Sequence, residues 1–274
     1  MTYSTLVFVG DHPLLVACAG RAREAGLTVA AVSTEDPSIA AWADGEGIRN
    51  VAWADLGEHV RSTRPDALLS VGNLRILPDD MVQATGVTIN FHDGPLPTYA
   101  GLHTPMWALL DGATDYRVSW HVVEGGVDEG DVLATSGFEI APDETTRSMN
   151  IKCFGAAGEA FEEVLDQLRA GELRRSPQVG DGRYCGRYDR PIPGGALVPH
   201  TMSAEEIDRY VRALDFGPTI NRVGRALLQV DDRHLLVVHD AGPSDIGRTA
   251  APGTVLAASA RDDDVTLTVA TTTD

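Results

Sequence analysis

Val87-Thr-Ile-Asn-Phe-His-Asp-Gly-Pro-Leu-Pro-Thr-Tyr-Ala-Gly101 sets a β-branched, apolar run directly before a loop rich in Gly and Pro. A run of that kind reads as a buried strand that stops where the turn residues begin. Alternate residues of an extended segment share a face, so Asn90 and His92 are expected to point together from the strand's end. Ligand crevices of open α/β sheets lie at such strand ends.

Upstream, the hydrophobic period switches back and forth. Leu6 to Val9 reads as a strand, Pro13 to Ala25 as a helix stopped by Gly26, and Leu27 to Val32 as a second strand. Short helices around Ile39 to Ala43 and Glu58 to Thr63 and strands at Val51 and Ala67 to Val71 follow. This rhythm predicts an α/β fold with a Rossmann-like, mostly parallel sheet. Gly10 precedes Asp11, His12 and Pro13 rather than further glycines, so the dinucleotide fingerprint is absent. His12 reads as an exposed turn histidine beside a helix-starting proline.

Downstream, the pattern predicts a helix at Pro105 to Leu110, a strand at Arg117 to Val123, and a loop holding Gly125, Gly126, Asp128 and Gly130. Thr145 to Leu168 carries apolar residues at helical spacing, as expected of a long amphipathic helix across the sheet, with Gly171 as its stop. Arg174 to Pro199 is rich in Arg, Gly and Pro, which places a boundary there. The expected domains are a catalytic one at 1–182 and, at 183–274, a linker, a helix and a small strand-rich subdomain. Ser203-Ala-Glu-Glu206 has capping-box spacing and opens the helix running to about Leu214. Strands are expected at Ala226 to Val230, Leu235 to His239, Thr254 to Ala258 and Val265 to Ala270. The chain stops just after the last of these, which suggests a piece of a longer, fused polypeptide.

Composition excludes several classes. The formal net charge of -18 argues against a non-specific grip on nucleic acid, which needs basic surface to displace phosphate counterions. Cys18, Cys153 and Cys185 are odd in number and far apart, so neither a disulfide framework nor a Cys-x-x-Cys metal site is indicated. The N-terminus has no basic region followed by an apolar segment, so a cytoplasmic protein with no membrane partner is expected.

The chemistry points to Asn90, His92 and Asp128. A carboxylate beside an imidazole fixes its tautomer and favours its protonated form, which suits a histidine that takes a proton from an attacking amine. An Asn amide can donate to an oxygen that becomes negative during acyl transfer. His103 and His121 raise a metal reading, but their spacing matches no compact ligand motif, and no metal is expected.

Asn90-Phe-His92, Gly94-Pro-Leu-Pro97, Tyr99-Ala-Gly101, Trp107-Ala-Leu-Leu-Asp-Gly112 and Val127-Asp-Glu-Gly-Asp-Val-Leu133 closely resemble the core of the 10-formyltetrahydrofolate-dependent formyltransferase family. The resemblance runs over almost the whole chain, resuming at Arg183 to Gly195, at Arg212-Ala-Leu-Asp-Phe-Gly217 and at Pro252-Gly-Thr-Val-Leu256, where the family's C-terminal OB-like barrel would begin. It implies that Asn90, His92 and Asp128 are the catalytic triad and that 10-formyltetrahydrofolate is the co-substrate. The pterin would lie against Val71, Leu74, Ile76 and Leu77 on one side and Val127, Glu129 and Asp131 on the other. Many members have Ser-Leu where Asp93-Gly94 stands, so this loop carries an acid instead. Ile89 to Pro97, Ser119-Trp-His-Val-Val123 and Arg212 to Gly217 look most like the formylation domains of nonribosomal peptide synthetases. That implies an aminoacyl group on a carrier protein as acceptor, in antibiotic-type biosynthesis. A free amino acid, an amino-sugar nucleotide, methionyl-tRNA or water are the alternative acceptors, and a folate-binding docking domain is the non-enzyme alternative.

Overall fold

The computed structural model describes residues 3–191, 196–197, 201–218, 223–229, 235–238, 241, 251–261 and 264–271. In chain order the elements are β1 (Thr5–Val9), α1 (Leu14–Glu24), β2 (Thr28–Ser33), α2 (Pro37–Gly45), β3 (Arg49–Asn50), α3 (Trp53–Thr63) and β4 (Ala67–Ser70). Then come α4 (Asp79–Val82), β5 (Val87–His92), β6 (Tyr99–Gly101), α5 (Thr104–Leu110), β7 (Asp115–Val122), β8 (Val132–Glu139) and α6 (Thr146–Ala170). The last are β9 (Arg183–Cys185), β10 (Ala196–Leu197), α7 (Ala204–Ala213), β11 (Leu227–Gln229), β12 (Leu235–Val237), β13 (Val255–Arg261) and β14 (Asp264–Val269).

Two compact units share this chain. The first comprises Met1–Gly101, Asp115–Glu139 and Ile151–Tyr184, and the second Leu102–Thr114, Ile140–Asn150 and Cys185–Asp274. The central sheet of the first unit has seven strands in the order β3-β2-β1-β4-β5-β7-β8. Its pairings from β3 through β5 are parallel, and β7 runs antiparallel to both β5 and β8. The sheet is thus mostly parallel, as expected, with an antiparallel hairpin closing one edge. Its inner strands are continuous apolar runs because both faces are covered. Leu6, Phe8, Leu68, Leu69 and Ile89 have no measurable exposure, and burying each such side chain stabilises the fold by about 1.5–3 kcal/mol.

Strand order reverses between β1 and β4, so the crevice of a doubly wound sheet opens at their carboxyl ends. Gly10 sits there with φ +149°, and a Cβ on it would lie 1.9 Å from the Val71 carbonyl oxygen. Only glycine permits that approach of the two strand ends. His12 differs from its reading as an exposed turn residue. Its ring stacks on Phe154 at 3.6 Å between centroids, and its Nδ1 accepts the Leu14 N–H at 3.1 Å. Burial lowers its pKa from the ordinary histidine value.

From Ile151 onward α6 belongs to the first unit, where its apolar stripe meets one face of the sheet. Trp120 is fully buried there, its ring tilted against that of Phe161 at 5.0 Å between centroids, and its Nε1–H donates to the Ala157 carbonyl at 3.0 Å. In the second unit the capping box is present as read. The Ser203 hydroxyl accepts the Glu206 N–H, and the Glu206 carboxylate accepts the Ser203 N–H at 2.7 Å. There β10, β11 and β12 form one small sheet and β13 pairs with β14 in another. Val230 and His239, expected to end strands, lie outside the described residues, as do 192–195 and 198–200 of the connecting stretch. Among the described residues, no helix is long and apolar enough to cross a membrane.

Candidate active site

The β5/β7 register builds the site. Asn90 lies opposite His121, Phe91 opposite Trp120, and His92 opposite Ser119. Strand alternation sends Phe91 and Trp120 to the face packed on α6 and the four polar side chains to the other. Ser119 secures the loop after His92, donating to the Gly94 carbonyl at 2.8 Å and accepting the Leu96 N–H at 3.3 Å. A bulge between β7 and β8 falls at Trp120/His121, and bulges re-aim the side chains beside them.

Asp128 is brought to these residues by the loop between β7 and β8. Its backbone is left-handed, with φ 59°, a conformation that costs a non-glycine residue about 1–3 kcal/mol unless its surroundings hold it. One carboxylate oxygen, Oδ2, accepts the Gly101 N–H at 2.9 Å and stands 3.5 Å from His92 Nδ1. The other, Oδ1, stands 3.4 Å from His121 Nε2. Gly130 lets the loop close, because a Cβ there would lie 1.8 Å from the Val122 carbonyl oxygen.

Strand β6 fixes the tautomer of His92. The His92 Nε2 lies 2.7 Å from the Tyr99 carbonyl oxygen, which can only accept, so Nε2 carries a proton. That leaves Nδ1 as the atom able to take a proton, and a proton arriving there meets the Asp128 carboxylate. The same logic applies to His121, whose Nδ1–H donates to the Val122 carbonyl at 2.9 Å while Nε2 accepts from Asn90 Nδ2 at 3.1 Å. One N–H of the Asn90 amide is used this way, and a primary amide has a second to offer.

Burial works to raise the pKa of Asp128, but the His121 and His92 imidazoles beside it and the Gly101 N–H outweigh it and hold it below the ordinary carboxylate value. A carboxyl whose folded pKa is depressed adds stability above the unfolded value of about 3.9, and that stability is lost as pH falls through the folded pKa. In urea unfolding at stepped pH, the stability gap between wild type and Asp128→Asn should therefore shrink as pH drops below about 4. A gap that stays constant into that range would show that the carboxylate is not held as described.

The residues expected to contact a pterin divide in the structure. Val71 is buried at the end of β4, and Leu77, 9% exposed, packs into the core with Val7, Val9, Leu68 and Met81. Leu74 and Ile76 are 85% and 72% exposed, a pair of large apolar side chains on the loop leaving β4. Between them Arg75 is fixed by an ion pair to Glu35 and by the Trp53 ring, 4.9 Å away. On the Asp128 loop, Val127 is exposed, the Asp131 backbone carbonyl accepts the Val122 N–H at 2.9 Å, and the Glu129 carboxylate turns back to accept the Gly126 N–H, also at 2.9 Å. His121 joins the cluster as a hydrogen-bonding partner of Asn90, and strand alternation with Ser119 is the signal that marks it. His103 belongs to the second unit, where its ring meets Phe216 edge-on. Among the described residues no group of His, Cys, Asp and Glu is arranged to hold a metal ion.

Comparison with known proteins finds a family profile described as "Formyl transferase" matching residues 7–165. The chain is 30% identical over 275 residues to the methionyl-tRNA formyltransferase of Myxococcus xanthus, covering 94% of this chain and 84% of that protein. Its backbone is similar to that of a 4-N formyltransferase from Francisella tularensis, with a TM-score of 0.71 and 16% identity over 89% of this chain and 100% of that one. It is also similar to HypX from Aquifex aeolicus in complex with tetrahydrofolic acid, with a TM-score of 0.66 and 18% identity over 98% of this chain and 42% of that longer one. At these identities the two structures establish a shared fold.

Proposed function

The chain belongs to the formyl transferase family, and on that premise we propose that it moves the formyl group of 10-formyltetrahydrofolate to a primary amine. The observation that carries the reading is the pairing of His92 Nδ1 with Asp128 at 3.5 Å, on the same face as the Asn90 amide. The neutral amine attacks the formyl carbon, forming a C–N bond and placing negative charge on the formyl oxygen. The free N–H of Asn90 donates to that oxygen, a contribution of about 10²–10³ in rate. His92 Nδ1 takes the amine proton, with Asp128 facing the resulting imidazolium. The intermediate collapses as the bond to folate N10 breaks and N10 receives the proton, releasing tetrahydrofolate and the formamide. No cysteine takes part: Cys18, Cys153 and Cys185 are all buried, and burial raises the pKa of the Cys18 and Cys153 thiols. Leu74, Ile76 and Val127 supply the apolar wall against the pterin.

The acceptor we favour is an aminoacyl group on a carrier protein, supported by the likeness of Ile89 to Pro97 and Arg212 to Gly217 to peptide-synthetase formylation domains. The Myxococcus xanthus relative favours a second acceptor, methionyl-tRNA, against which stands the net charge of -18. Turnover of 10-formyltetrahydrofolate is the test. It is run with aminoacylated carrier proteins, methionyl-tRNA, an amino-sugar nucleotide, free amino acids and no acceptor, following tetrahydrofolate and acceptor mass. A formyl mass gain on the carrier-bound amine is expected. A gain on methionyl-tRNA alone would overturn the acceptor, formate release without acceptor would make the protein a hydrolase, and folate binding without turnover would make it a docking domain.

A further inference from the structure

The segment following α6 carries side chains that reach back to the Asp128 loop, all within the first unit. Gln178 Nε2 lies 2.7 Å from the Asp128 carbonyl oxygen and 2.8 Å from that of Gly130. A primary amide offers two N–H donors from one nitrogen, so a single side chain clamps the carbonyls on either side of Glu129. Two residues earlier, Ser176 and Val132 exchange a pair of backbone hydrogen bonds, both 2.9 Å, as an isolated antiparallel bridge. Arg175 ties the far side of the same loop by an ion pair to Glu124 at 2.7 Å.

The loop needs such bracing. Asp128 adopts its left-handed backbone without glycine's freedom, and its carboxylate reaches His92, His121 and Gly101 only while that conformation holds. A donor acting on the Asp128 carbonyl itself sets the peptide plane from which this side chain departs. We propose that Gln178 is a positioning residue that holds Asp128 against His92, with Ser176 and Arg175 completing the strap. This rests on the formyl-transfer reading for its kinetic consequences, though not for its effect on Asp128.

Gln178→Met keeps the length and removes both donors, and Gln178→Asn keeps the amide but is one methylene too short to span both carbonyls. Both variants should lower kcat by about 10–100-fold, the scale set by displacing a catalytic group by about 1 Å, with KM for 10-formyltetrahydrofolate changed less than about twofold. In an Asp128→Asn background Gln178→Met should have little further effect, because the group it positions is already gone. Independently of activity, titration of the Asp128 carboxyl by NMR in folded Gln178→Met should show its pKa moved up toward the ordinary value. Wild-type-like kcat together with an unmoved Asp128 titration in either folded variant would overturn the proposal. So would full additivity with Asp128→Asn, which a merely structural role would produce. A wild-type protein that transfers no formyl group would instead overturn the transfer reading, and the Asp128 titration would still decide the role of Gln178.

Discussion

Replacing His92 by alanine is expected to lower formyl transfer by about 10²–10⁴-fold, the range for loss of a positioned general base. The size follows from geometry. With Nε2–H committed to the Tyr99 carbonyl at 2.7 Å, Nδ1 is the imidazole atom free to receive the amine proton, and Asp128 stands 3.5 Å from it. The substitution also removes the buried hydrogen bond to Tyr99, at a stability cost of about 0.5–1.5 kcal/mol. Rates should therefore be compared at a temperature where melting curves show both proteins folded. The check is tetrahydrofolate release at saturating substrates. A folded His92→Ala protein retaining activity within tenfold of wild type would remove His92 from the mechanism.

The second large effect belongs to Asn90. Asn90→Leu preserves approximate volume and removes the donor to the developing oxyanion, and about 10²–10³ in kcat should be lost with KM for the folate nearly unchanged. The split matters, because a donor used only in the transition state leaves ground-state binding alone. Steady-state kinetics on the folded variant provide the check. A rise in KM with kcat preserved would place Asn90 in folate binding instead. His121 sharpens this expectation, since its Nε2 accepts one Asn90 N–H at 3.1 Å and so orients the amide.

The legible parts of this molecule were those whose signal is local. The alternation Asn90-Phe-His92 at the end of an apolar run put both polar side chains on one face, and the β5/β7 register confirms that face. The spacing Ser203 to Glu206 gave a capping box that the structure contains. The edge strand β8 leaves no clear signal in the sequence, because Thr135-Ser-Gly137 interrupts its apolar alternation and the strand is half exposed. The loop leaving β4 has no period from which to tell side-chain direction, which is why Leu74, Ile76 and Leu77 were grouped although only Leu77 points into the core. His12 read as a turn residue because the ring it stacks on, Phe154, lies far along the chain. The place of Gln178 leaves no trace in the sequence at all, since it acts through backbone carbonyls that any residues would supply.

In the proposed reaction the formyl group passes directly from folate to an amine, with His92, Asp128 and Asn90 facing the reacting atoms. This transfer is tested most directly by quenching turnover of 10-formyltetrahydrofolate labelled with carbon-13 in its formyl group, in the presence of the best acceptor. The label is followed in acceptor, formate and intact protein together. Label leaving the folate is expected in the acceptor alone, one formyl for each tetrahydrofolate released. Label on the protein during turnover, or formate formed in step with tetrahydrofolate while the acceptor stays unlabelled, would contradict it.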